Sequence, residues 1–127
     1  MIQTFLVFLG GGIGAAARHG VNIGVARLVT SPFPWSTAII NVLGSLLMGL
    51  IAGYFAFRAG GAASQHARLF LTTGILGGFT TFSAFSLDAA LLWERGATGQ
   101  AAGYVIGSVA LSILGLFAGL GLLRALS

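Results

Sequence analysis

Apolar residues fill this chain in four long blocks, and polar or helix-breaking residues gather in the short gaps between them. About 20 apolar residues, rising 1.5 Å each, cross a hydrocarbon core of roughly 30 Å. Four segments reach that length, at about 4–26, 36–57, 69–93 and 100–123. The first closes at Arg27, and "TSPFPW" after it supplies two prolines and an interfacial Trp35, which predicts a short turn. Arg58 closes the second, and the small, polar "AGGAASQHAR" that follows is the most loop-like stretch of the chain. "ERG" closes the third span and Arg124 the fourth, so four crossings leave both termini on one side. The N-terminal "FLVFLGGGIGAAAR" has the apolar run and small residues of a signal peptide but no basic leader, and is read as the first span. The pattern predicts an all-α membrane protein with one transmembrane domain over residues 1–127.

Composition agrees and removes several function classes. Hydrophobic residues make up 57% and charged residues 6%, against roughly 25% charged in soluble domains, so the bilayer must cover most of the apolar surface. The absence of cysteine excludes disulfides and thiolate metal sites. Six arginines against Asp88 and Glu94 give a net charge of +4, but they are scattered singly, which excludes a nucleic-acid patch. Arg58, Arg68 and Arg124 fall on the side of the termini, Arg27 and Arg95 on the other, and Arg18 lies within a span. That bias is weak by the positive-inside rule. It leaves open both a topology fixed by folding or partners and insertion in both orientations, where two opposed copies could pair about an axis in the membrane plane, as inverted repeats do.

Small residues spaced four apart let helices approach closely in lipid. The pattern occurs at Gly10 and Gly14, at Ser45, Gly49 and Gly53, at Gly103 and Gly107, and at Gly115 and Gly119, and it predicts tightly packed spans. Gly10, Gly12 and Ala15 also satisfy a loose dinucleotide fingerprint, but no strand precedes them and no acid follows about 20 residues on.

Polar groups inside the spans are functional candidates, because hydrocarbon penalises them. Arg18, two thirds along the first span, could snorkel or line an aqueous vestibule. Asn41 could join helices or offer its amide to a ligand. Tyr104, Ser108 and Ser112 recur every four residues, forming a stripe that offers successive donors or bonds back to its own helix. Within "GGFTTFSAF", Gly77, Gly78, Thr80 and Thr81, with Gly74 just before, make a poor helix interior, so the third span is expected to break near them. A break at mid-membrane frees backbone carbonyls and amides, and converging carbonyls suit a small cation. Thr80, Thr81 and Ser83 add hydroxyls. Phe82 and Phe85, three apart on the resumed helix, face one way, and the positive edges of such rings can favour an anion while excluding water.

"GGGIGAAAR", "NVLGSLLMG" and "GILGGFTTFSAF" resemble, in order and spacing, the motifs of the Fluc (CrcB) family of fluoride channels. The resemblance spans all four segments and is most specific in the third. One departure is His19, where the family often has a tyrosine. The resemblance implies an antiparallel, dual-topology homodimer with two separate fluoride pores in a bacterial inner membrane, passively exporting fluoride that enters as HF. It also implies a structural sodium ion at the two-fold axis, held here by carbonyls of Gly77 and Thr80. Phe82, Phe85, Asn41, Tyr104, Ser108 and Ser112 match the family's pore residues, with Thr81 and Ser83 as nearby donors. A small multidrug-type transporter would need a membrane carboxylate, and the first two spans have none. A membrane enzyme would need a nucleophile beside a base, and His19 and His66 lie far along the chain from the serine–threonine break. A structural or partner-dependent subunit explains tight packing but leaves the paired phenylalanines unexplained.

Overall fold

The computed structural model describes residues 1–58 and 62–127. Every element among them is helical: α1 (Ile2–Leu28), α2 (Trp35–Phe57), α3 (Ala62–Leu69), a π-helical segment (Phe70–Leu76), α4 (Gly77–Phe79), α5 (Phe82–Glu94) and α6 (Thr98–Ala125). Among the described residues three stretches are long and apolar enough to cross a membrane: Trp35–Phe57, Ser64–Glu94 and Thr98–Ala125. With its 27 residues α1 is roughly 40 Å long at 1.5 Å per residue. It is less apolar because it carries Gln3, Arg18, His19, Asn22 and Arg27.

Two features of the third apolar stretch bear on the expectation, its start against it and its break in line with it. It is helical from Ala62, so the "AASQHAR" part of the expected connection "AGGAASQHAR" belongs to α3. Alanine is the strongest helix former, and Ala62, Ala63 and Ala67 outweigh the polar residues between them. The rest of the expected loop, residues 59–61, lies outside the described residues. Second, Gly74, Gly77 and Gly78 do not themselves interrupt the helix. The break falls just after them, where Thr80 (φ −81°, ψ 157°) and Thr81 (φ −152°, ψ 120°) are extended.

Those glycines serve close approach instead. A Cβ on Gly10 would lie 2.7 Å from the Phe70 carbonyl oxygen and 2.9 Å from the Gly74 Cα; one on Gly14 would collide with the Ile75 carbonyl, and one on Gly78 with that of Gly11. Thus α1 lies backbone to backbone along the π segment and α4. A second close seam joins α2 to α6, where a Cβ on Gly49 would collide with the Leu116 carbonyl and one on Gly53 would lie 2.8 Å from Leu123 Cβ. Gly103 and Gly107 were expected to pack as well, but neither would meet an atom within 4 Å. Their face of α6 is open in the single chain.

The ends are tied in the pattern of an alternating bundle. Arg124 stands over the Phe57 ring at 5.3 Å, joining the ends of α6 and α2. At the opposite end Arg95 Nη2 donates to the Pro32 carbonyl at 3.3 Å, and Ser36 Oγ donates to Asn22 Oδ1. The α5–α6 turn needs Gly96, whose φ of 81° is left-handed. Its N–H bonds to the Trp93 carbonyl and that of Ala97 to the Leu92 carbonyl, which satisfies the last carbonyls of α5.

Candidate functional site

The break is built from α2 outward. Asn41 Nδ2 donates to the Thr81 carbonyl at 3.0 Å, and Thr81 N–H donates to Asn41 Oδ1 at 2.9 Å. One side-chain amide therefore replaces the helical partners of an extended residue, which lipid could not supply. Two results follow. In an unbroken helix the Thr81 N–H would belong to the Gly77 carbonyl, so that carbonyl loses its helical donor. On the other side of the break, Thr81 caps α5 by accepting from Ala84 N–H at 3.1 Å, leaving the positive end of the α5 dipole at the break. Thr80 Oγ1 and N–H both donate to the Leu76 carbonyl, at 2.9 and 3.0 Å.

A groove of about 340 Å³ opens beside the break. From α2 it takes Asn41, Gly44, Ser45 and Met48, one helical face at spacings of three and four. Thr80 and Thr81 form its end, α5 contributes Phe82 and Phe85, and α6 contributes Ser108 and Ser112 among apolar neighbours. The groove thus gathers seven of the sequence candidates: Asn41, Thr80, Thr81, Phe82, Phe85, Ser108 and Ser112. Their side chains offer neutral donors and no carboxylate. Among the described residues neither Ser108 nor Ser112 gives its hydroxyl to its own helix, so these groups remain available to a guest. Phe85 is buried, whereas Phe82 is 77% exposed, with ring centroids 5.5 Å apart and planes tilted by 49°.

The remaining candidates lie around this groove. Ser83 Oγ is 3.3 Å from Thr81 Oγ1, on the exposed side of α5. Tyr104 stands behind Phe85, with centroids 5.1 Å apart, and its hydroxyl donates to Asp88 Oδ2 at 3.1 Å. Arg18 is half-buried on α1 and lines neither the groove nor the second cavity. That second, more polar cavity, of about 610 Å³, contains Gly77 together with Gln3, Gln65 and Arg68. No group of three or more His, Asp or Glu residues that could hold a metal occurs among the described residues, so a cation at the break would depend on carbonyl oxygens.

This arrangement can be compared with known proteins. A family model described as CrcB-like protein, Camphor Resistance (CrcB), matches residues 5–120. The chain belongs to the CrcB family. It is 68% identical over 122 residues to the fluoride-specific ion channel FluC of Rhodopseudomonas palustris (strain BisB5), covering 96% of this chain and 97% of that protein. It is 62% identical to the fluoride-specific ion channel FluC 2 of Nitrobacter hamburgensis, over 99% of this chain and 100% of that one. The FluC protein of Methylobacterium sp. (strain 4-46) is 60% identical over 98% of both.

Within this CrcB-family chain, sequence reasoning missed Gly44, Met48 and Asp88. Gly44 and Met48 carried a signal, since they share the Asn41 face at three and seven residues on. A Cβ on Gly44 would collide with the Thr80 methyl, so the glycine makes room for the break. Asp88 follows Phe85 by three residues, but its partner Tyr104 is sixteen positions away and becomes visible only when α5 packs on α6.

Proposed function

We propose that this chain is a fluoride-selective ion channel, a passive conductor rather than an enzyme, that lets cytoplasmic fluoride leave and so confers fluoride resistance. The observation that carries this reading is the single groove in which a broken span brings Thr81, Phe82 and Phe85 to Ser108 and Ser112 without a carboxylate. Fluoride is small and strongly hydrated. Neutral hydroxyl and amide donors, with positive ring edges, can replace part of its water without trapping it. The names and near-complete coverage of the relatives support the same substrate.

The functional unit we infer is two copies in antiparallel orientation, in a bacterial inner membrane. In one copy the groove is open at exposed Phe82, and a groove carrying polar groups would be unfavourable if it opened to lipid. A second copy would close it. In this arrangement α1 is the fourth crossing, with Arg18 at an aqueous vestibule, and residues 1–127 form one transmembrane domain. The Gly77 carbonyl, without the Thr81 N–H, together with the Thr80 carbonyl, would hold a sodium ion where the two copies meet; bound there, the ion would neutralise carbonyl oxygens converging from both. Exchange of sodium for N-methylglucamine during purification is expected to lower the unfolding temperature of the dimer. An unchanged melting curve would remove the ion from the structure.

The direct test is fluoride efflux from liposomes containing only this protein, read with a fluoride electrode beside a matched chloride assay. Fluoride release without chloride release is expected; no release from well-folded protein would overturn the reading. Asn41→Asp keeps the acceptor for Thr81 N–H but loses the bond to the Thr81 carbonyl and puts a carboxylate on the groove wall. Efflux is expected to fall at least about tenfold, because a carboxylate about 4 Å from a passing anion repels it by about 4 kcal/mol at an effective dielectric constant of about 20. Undiminished efflux would leave Asn41 as a joint between α2 and the break.

A further inference from the structure

The Tyr104 ring is 1% exposed and sits among aromatic neighbours: Phe85 at 5.1 Å on the groove side, and Phe33 edge-on at 5.5 Å and 89°. Phe33 belongs to the α1–α2 connection that Arg95 ties down through Pro32. Within this apolar cluster, α5 carries a carboxylate three residues beyond Phe85, and Tyr104 gives its hydroxyl to it. A phenol has one proton to donate. Given to Asp88, that proton is not available to an anion in the groove. The bond also ties the α6 ring to the same helix that bears Phe85, whose ring centroid lies 5.1 Å away.

We propose that Asp88 is a positioning residue of the anion path: by accepting the Tyr104 hydroxyl it fixes the ring that backs Phe85, and so sets the angle at which Phe85 presents its edge. The inference rests on the fluoride-channel reading and deepens it. Ring orientation matters because the face of an aromatic ring repels an anion and its edge attracts one. On this account Tyr104 acts as a buttress, and the hydroxyl donors of the α6 stripe are Ser108 and Ser112. Asp88 acts through its acceptor oxygen and not through its charge.

That distinction makes the proposal testable by substitution. Asp88→Asn retains an acceptor oxygen, whereas Asp88→Ala and Tyr104→Phe each remove one half of the bond. In the liposome assay Asp88→Asn is expected to conduct within about twofold of the parent, and each of the other two to lose about tenfold in fluoride efflux with a lowered fluoride-to-chloride ratio. The double variant Asp88→Ala, Tyr104→Phe is expected to fall no more than about twofold below the poorer single one, because both remove the same interaction. Asp88→Ala at parental efflux, or Asp88→Asn as impaired as Asp88→Ala, overturns the proposal, the latter by showing that charge is what matters. Additive losses would do the same. A thermal-melt cycle on these four proteins gives a readout independent of transport, and zero coupling between the positions also overturns it. A parent protein that releases no fluoride would sink the channel reading instead, so the two failures are distinguishable.

Discussion

Phe85→Ile is expected to cut fluoride efflux at least about tenfold, because it removes the positive ring edge together with ring–ring contacts to Phe82 and Tyr104 worth about 0.5–1.5 kcal/mol each. Phe85 is buried between Phe82 and Tyr104 and lines the groove opposite Ser108 and Ser112. Isoleucine keeps apolar bulk without an aromatic ring, so it separates the electrostatics of the ring from simple space filling. Phe82→Ile is expected to have a similar effect by a different route. Phe82 is 77% exposed, so its substitution barely disturbs the fold of one chain, and any loss of efflux reports on the completed pathway. Both proteins should elute as the parent does on size exclusion. Unchanged efflux in both, with intact assemblies, would remove the phenylalanines from the anion path.

The second large effect concerns folding. Gly14→Val and Gly49→Val are each expected to lower stability by about 3 kcal/mol or more, beyond the usual range for an overpacked core. A Cβ at Gly14 collides with the Ile75 carbonyl and one at Gly49 with the Leu116 carbonyl. Backbone cannot step aside as the end of a flexible side chain can. Relief requires separating α1 from the π segment, or α2 from α6, along a whole seam, and small residues are what let helices associate in lipid. Gly121→Ala is the matched control, since its Cβ would meet nothing within 4 Å and alanine favours the helix by about 1 kcal/mol. Thermal unfolding in detergent measures all three. Parental stability of Gly14→Val or Gly49→Val would mean that the seams are looser than described.

The groove shows how far reading along the chain can go. Periodicity places Asn41, Gly44, Ser45 and Met48 on one face, and Ser108 and Ser112 on another, because a helix fixes the direction of each side chain from its position. What that reading cannot supply is the choice between two satisfactory partners for one polar group. Asn41 could equally have bonded within its own bundle face or to a ligand. It bonds to Thr81 because packing sets α2 beside the broken span. Tyr104, Ser108 and Ser112 share a stripe by spacing, yet Tyr104 turns its hydroxyl to Asp88 while the two serines stay in the groove. Low helix propensity predicted a break near Gly74, Gly77, Gly78, Thr80 and Thr81, and the break forms at the two threonines; Gly74 and Gly78 stay helical and admit the α1 backbone.

Hydrophobic block length, scarce charge and absent cysteine determined from the sequence alone that this is an all-helical, membrane-embedded chain with a polar interruption in its third apolar stretch. These are sums over many residues, and they follow from transfer free energies that do not depend on neighbours. Tertiary structure alone decided which amide satisfies the interruption, that Gly10 and Gly14 face the π segment, and that Gly103 and Gly107 meet nothing among the described residues. Each of those outcomes is set by which backbones come within hydrogen-bonding or van der Waals distance, and such distances exist only after the helices have packed.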